Sequence, residues 1–205
     1  MKADYTPPED RNATALLILD AADDLLTEVG FEGLSVRAVA ARAKVQNPLV
    51  FYYFGSKAGL VERVIARYYA RQLAALERAM AGEGPLADKL HRLIDAYVSF
   101  IEDNRRYPRL VQHQLAGPEA FRQRIQENLA PLLAWTRSAL AELAPATGPT
   151  GAHHLFVTIS AAVINYYTYA EVLAPMWGAD PLDQAALAER RAHLHWLVDA
   201  LMAAL

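Results

Sequence analysis

The sequence predicts an all-α protein with a small N-terminal helical head and a larger helical body. Three observations carry this prediction. The segment Ser35 to Leu60 reads as two short helices around a tight turn, and apolar residues recur at helical spacing along the long segments that follow. Hydrophobic residues make up 54% of the 205-residue chain, with only ten Gly, and no stretch is rich in strand formers. That length holds one large or two small domains with an ample core.

The elements follow in order. Val36, Val39, Ala40 and Ala43 fall at i, i+3, i+4 and i+7, so residues 36–43 carry one apolar stripe, with Ser35 placed to cap it. Val45 breaks the period. Asn47 restarts it as an N-cap, and Pro48 costs little at a first helical position, where its missing N–H had no partner. Two helices joined by so short a turn form a helix-turn-helix, whose second helix fits a DNA major groove. Val50, Phe51 and Phe54 are expected as the core side of that helix.

Ser56 is expected to cap a long helix over residues 57–81, with Leu60, Val64, Tyr68, Leu73 and Leu76 near helical spacing. Gly82 to Pro85 ends it and starts a helix to about Asn104. A short helix follows Pro108, and Gly117–Pro118 opens one to about Leu143 with a kink at Pro131. Residues 144–151 form a loop, and two helices remain, 152–173 and 183–204, split by Pro175, Gly178 and Pro181.

Charge patterning gives the head a partner. From Gly33 to Val61 there is no Asp or Glu, while Arg37, Arg42, Lys44 and Lys57 supply positive charge in a chain of net charge −3. A basic island in an acidic chain points to one anionic surface. Lys57 falls in the first turn of its helix, where the macrodipole favours an anion, so a lysine there beside backbone N–H groups suits an external phosphate.

Residues 14–60 resemble the N-terminal DNA-binding domain of the tetracycline-repressor (TetR/AcrR) family of bacterial transcriptional regulators. The matching pieces are ILDAA at 18–22, GF at 30–31, SVRAVAARAKV at 35–45 and NPLVFYYFGSK with GL at 47–60. The resemblance implies a homodimer, each chain with a three-helix reading head and a larger helical effector-binding and dimerisation domain. It divides the chain into an arm at 1–11, expected to be disordered, a head at 12–57 and a body at 58–205. It places Gln46, Asn47, Pro48, Leu49 and Tyr52 toward the groove, and Thr14, Tyr53 and Lys57 at backbone phosphates. Arg37 and Lys44 join this set as exposed charges. Asn47 has the geometry to pair with an adenine edge, and Pro48 and Leu49 to pack on thymine methyls. Lys44, Leu49 and Phe51 stand where the family commonly has Gly, Thr and Tyr.

The body is read more coarsely. The last two helices are apolar over more than one face, which calls for a second protein surface and makes them the expected dimer interface. An effector site is expected from Tyr97, Phe100, His113, Gln114, Trp135, Asn165, Tyr166 and Tyr169, which give aromatic walls with few charges. Such a wall fits a small lipophilic effector of drug-like size.

Other classes find little support. Zero Cys excludes a disulfide framework, thiol catalysis and a Cys-based zinc site. His153–His154 and His193–His195 do not share a helix face, and His91 with Asp95 is a single i,i+4 pair. No phosphate loop or nucleophile elbow occurs, so no enzyme, cofactor or metal is expected. The polar N-terminus lacks a signal-peptide core, and the longest apolar run is too short to span a bilayer. A cytoplasmic protein with no membrane partner is expected. Two rival classes remain: an all-helical enzyme whose site assembles only in the fold, and a helical protein-interaction adaptor.

Overall fold

The computed structural model describes residues 13–115, 119–141, 144–145 and 147–204. The expected N-terminal arm and the Gly117–Pro118 helix start lie outside the described residues. Among the described residues nine helices follow in order: α1 Ala13–Gly33, α2 Val36–Ala43, α3 Asn47–Phe54, α4 Lys57–Met80, α5 Leu86–Asp103, α6 Tyr107–Leu115, α7 Glu119–Ala139, α8 Ala152–Trp177 and α9 Gln184–Ala204. Among the described residues there is no strand, so the predicted fold class holds.

The chain forms two compact units, Met1–Tyr68 and Tyr69–Leu205. Their boundary lies inside α4, later than the expected 57/58. The cause is packing: Leu60, Val61, Val64 and Ile65 on the first turns of α4 are buried at 1% exposure or less. Arg67 fastens the same stretch to α1, donating to Asp20 at 2.6 Å, Asp23 at 3.0 Å and the Leu19 carbonyl at 3.1 Å. The core of this first unit is completed by Ile18, Leu19 and Ala22 of α1, Val39 of α2 and Val50 of α3.

In the second unit, α5 shows why its sequence makes a helix. Leu90, Ile94, Tyr97, Val98 and Ile101 recur at i, i+4, i+7, i+8 and i+11 and are all buried. Arg92 on its outer side reaches back to the carbonyls of Ala79, Gly82 and Glu83, satisfying acceptors that the end of α4 leaves open. α5 packs most extensively on α9. There His91 Nε2 meets Asp199 Oδ1 at 2.8 Å and His195 Nε2 meets Asp95 Oδ1 at 2.9 Å, with the two imidazoles stacked 4.5 Å apart. His91 therefore pairs across to α9, not with its i+4 neighbour Asp95.

Two boundaries differ from expectation. α8 continues through Pro175 to Trp177 and stops where Gly178 turns left-handed, its N–H bonded to the Ala174 carbonyl. A proline this close to the last turn sacrifices only one ladder bond, so Gly178, not Pro175, is the terminator. α7 ends at Ala139, short of Leu143, and carries Pro131 inside it. None of the helices is long and apolar enough to cross a membrane among the described residues.

Candidate functional site

The reading head is built from local rules. Ser35 is extended, and its Oγ accepts the Ala38 N–H at 3.1 Å, capping α2 as predicted. Lys44 ends α2 in the left-handed region (φ 56°, ψ 40°), and Val45 N–H closes onto the Ala40 carbonyl at 2.9 Å. Glycine adopts this conformation without cost, whereas a lysine is strained there. Lys44→Gly is therefore expected to raise stability by about 0.5–1 kcal/mol in urea unfolding while removing one exposed charge from the head. No gain in midpoint would mean the turn is unstrained.

α3 begins one residue differently from the sequence reading. Gln46, extended at φ −80° and ψ 144°, is the N-cap and makes no side-chain capping bond; Asn47 and Pro48 are the first helical residues. Asn47 is thus not spent on capping, and its side chain is exposed. Val50 and Phe54, an i,i+4 pair, are 1% and 8% exposed and hold the helix on the core. Gln46, Asn47, Pro48, Leu49 and Tyr52 all lie on the exposed side, with Tyr52 edge-on to the half-buried Tyr53 at 5.1 Å.

Phe51 is a correction. It is 50% exposed, not core. It sits one turn after Asn47, so it extends the outward face in apolar form; its i+4 spacing from Asn47 was the available signal.

The start of α4 is tied down twice. Ser56 Oγ accepts the Gly59 N–H at 3.0 Å, so the predicted cap is present. Lys57 Nζ donates to the Phe31 carbonyl at 3.0 Å and lies 4.6 Å from the Phe31 ring centre. Phe31 follows the break in α1 at Gly30 (φ 72°, ψ −175°). Lys57 therefore joins the start of α4 to the end of α1, a positional role that the reading of a lysine aimed only at phosphate missed. Arg42 is a further correction. Its guanidinium grips Glu28 through two bonds of 2.8 and 2.7 Å, with Asp24 4.0 Å away. This hydrogen bonding holds the Glu28 carboxyl below the usual carboxylate range. Arg37 and Lys44 remain exposed, and Thr14 is half-buried on the first turn of α1.

The second unit holds an apolar cavity of about 100 Å³. Leu90, Leu93, Ile94 and Tyr97 of α5, Trp135 of α7 and Phe156 of α8 are among its walls. Gln72, Tyr97 and Ser160 form its polar end, with the Gln72 amide and the Ser160 hydroxyl hydrogen-bonded to the Tyr97 oxygen. Burial pushes the Tyr97 phenol up to about 12, so it stays neutral and holds its proton at physiological pH. Tyr69 beside it is also raised by burial.

These features agree with what is known of similar proteins. The family model described as bacterial regulatory proteins, tetR family, matches residues 18–64, the stretch from α1 into α4. This head is a TetR-family domain. It is 39% identical over 90 residues to the HTH-type transcriptional repressor Rv3405c of Mycobacterium tuberculosis, a match covering 44% of this chain and 45% of that one. The chain thus matches less than half the length of this curated relative. It is 28% identical over 183 residues to the HTH-type transcriptional regulator RutR of Escherichia coli, covering 82% and 80% of the two chains. A TetR-family regulator structure from Rhodococcus sp. superposes with a TM-score of 0.70 at 20% identity, over 91% of this chain and 96% of that one, a likeness of fold.

Against the TetR fold, the expected effector residues divide. Tyr97 and Trp135 line the cavity. Phe100, Asn165, Tyr166 and Tyr169 do not. Asn165 and Tyr169 are exposed on the outer side of α8, where Val163, Tyr167 and Ala170 take the buried positions. Tyr166 donates its hydroxyl to the Pro181 carbonyl at 2.9 Å and lies under Arg190. Phe100 is half-buried, and its carbonyl accepts the Asn104 side-chain amide at 2.7 Å. The side chains of His113 and Gln114 lie outside the described residues. Gln72 and Ser160 are the polar residues that the sequence reading missed. Gln72, 3% exposed, was detectable as a polar residue between Tyr68 and Leu76 on an apolar helical stripe.

Proposed function

We propose that this TetR-family chain is a ligand-responsive transcriptional repressor that acts as a cytoplasmic homodimer on a near-palindromic operator. The observation that carries this reading is the outward face of α3. Asn47, Pro48, Leu49, Phe51 and Tyr52 are exposed while Val50 and Phe54 are locked in the core, so a rigid helix presents groove-sized side chains to solvent. Residues up to Tyr68 would read DNA; the rest of the chain would dimerise and take an effector. Thr14, Arg37, Lys44, Tyr53 and Lys57 would hold backbone phosphates, and Gln46, Asn47, Pro48, Leu49 and Tyr52 would face bases.

Dimerisation is assigned to the last two helices. Val157, Tyr169, Val172 and Met176 on α8 are 54–74% exposed, as is Trp196 on α9 at 62%. Large apolar side chains at this density call for a protein surface, and a second copy would provide the two-fold axis that a palindrome requires.

The repressor reading is supported by the name of the Rv3405c relative, and the effector reading by the apolar cavity. A ligand that binds one conformation of the body better than another would alter operator affinity by that difference, typically about 1–3 kcal/mol.

Selection of bound fragments from genomic DNA, followed by titration of an operator library, tests the proposal. Asn47→Ala should cost about 1–3 kcal/mol at one base position per half-site and relax specificity there. A uniform loss across the library would remove Asn47 from base reading. Absence of any enriched duplex would favour the adaptor class.

A further inference from the structure

The cavity of the second unit has a composition that selects its occupant, and this inference rests on the effector role proposed above. Its size comes first. About 100 Å³ lies below the roughly 150 Å³ of an apolar cavity that accommodates benzene, and well below the roughly 300–1,000 Å³ usual for drug-sized ligands. A single ring with one short substituent would need the side chains to shift and enlarge the space; a long acyl chain or a fused polycycle would need far more room. This narrows the drug-like size expected from sequence.

Charge is decided by what is missing from the lining. None of the described residues around the cavity is Lys, Arg or His. A carboxylate or phosphate placed there would lose its hydration with no cation to replace it. The bound molecule is therefore uncharged.

The hydrogen-bond inventory fixes its functional group. Thr136 is already used, its hydroxyl donating to the Leu132 carbonyl at 2.9 Å within α7. At the other polar point, Gln72 and Ser160 both hydrogen-bond the Tyr97 oxygen. Both ease ionisation of the phenol, as donors do, and with Gln72 and Ser160 donating to its oxygen Tyr97 would have its own O–H to give. Inside an apolar cavity that proton is most useful to an acceptor oxygen on the ligand. Trp135 and Phe156 supply aromatic faces for a ring.

We propose that the cavity binds a compact, uncharged, single-ring molecule carrying one acceptor oxygen, held by the Tyr97 hydroxyl and stacked among Trp135 and Phe156. The matching chemical class is the small aromatic ketones, aldehydes and phenols. Gln72 and Ser160 are positioning residues: they orient the Tyr97 hydroxyl.

The test is calorimetric titration of the full chain, without DNA, with four probes. Acetophenone offers the ring and the acceptor. Cumene has nearly the same shape with no acceptor, benzoate adds a charge, and stearoyl-CoA adds length and several charges. Acetophenone should bind one site per chain roughly tenfold tighter than cumene, while benzoate and stearoyl-CoA give no heat of binding. In Tyr97→Phe, checked for native far-ultraviolet circular dichroism, the acetophenone-to-cumene ratio should fall to about one.

The proposal is overturned if benzoate or stearoyl-CoA binds more tightly than acetophenone. It is also overturned if none of the four binds, or if the ratio survives in Tyr97→Phe. A parallel titration of the ligand-free chain with its selected DNA separates the two readings. Loss there removes the regulatory role and leaves the calorimetric result standing; DNA binding without acetophenone binding removes only this ligand class.

Discussion

Gly59→Ala should destabilise the N-terminal unit by about 2–3 kcal/mol and sharply weaken DNA binding, although alanine is the better helix former by about 1 kcal/mol. The reason is a close approach between two helices. A Cβ at residue 59 would lie 2.2 Å from the carbonyl oxygen of Phe54 at the end of α3. That atom is backbone and has no rotamer by which to retreat, so the turn between α3 and α4 must open. Opening it shifts α3, whose Val50 and Phe54 anchors set the direction of the outward face. Chemical denaturation monitored by circular dichroism, beside an Ala58→Gly control, separates the two effects. Propensity alone predicts that Gly59→Ala stabilises and Ala58→Gly destabilises. If Gly59→Ala unfolds at a higher denaturant concentration than the parent, the proposed α3–α4 contact does not constrain the head.

Salt should weaken operator binding by about a thousandfold between 50 and 200 mM, with a log–log slope of roughly −5. The figure comes from counting the head cations that no carboxylate holds among the described residues, Lys57 included because its bond to the Phe31 carbonyl leaves its charge unneutralised. Arg37, Lys44 and Lys57 give six cations in a dimer, each releasing about 0.9 counterion from duplex DNA. Counting Arg42 as well would raise the slope to roughly −7 and the loss to about ten-thousandfold. The structure argues against that larger value because Glu28 already holds Arg42 through both of its nitrogens. Fluorescence anisotropy with an operator duplex over a salt series distinguishes the two. A slope near −7 returns Arg42 to the DNA, and a flat response would sink the nucleic-acid reading.

The features legible in the sequence are those made by residues close together in the chain. Ser35 and Ser56 cap their helices because a cap needs only three residues and a hydroxyl. The apolar stripe of α5 is legible for the same reason, as its period is written in about three consecutive turns. Asn47 was misplaced by one position because Asn and the extended Gln46 both suit a helix start, and the turn geometry after Lys44 decides between them. Phe51 reads as core from sequence because it is a large apolar residue next to Val50, whichever way it faces.

Long-range partners were beyond that reading. Nothing local joins Arg42 to Glu28 or Lys57 to the Phe31 carbonyl. The cavity shows both sides of this limit. Composition points to Tyr97 and Trp135, which line it, and to Asn165, which does not, while Gln72, also an amide on an apolar helix, goes unnoticed. Which face of α4 or α8 turns inward depends on where neighbouring helices pack, and a single helix's periodicity cannot tell two apolar faces apart.

The Arg42–Glu28 pair also separates two quantities that a regulator must adjust independently over evolution. In the proposed reading, the choice of sequence would rest with Asn47 and its neighbours on α3, and the strength of the attraction to any duplex with the surrounding charge. Glu28 lies on α1, away from the residues assigned to base reading, yet it masks one positive charge in each head. A lineage could therefore lower or raise the overall grip on DNA by exchanging one acidic residue on α1, with the operator's spelling left untouched.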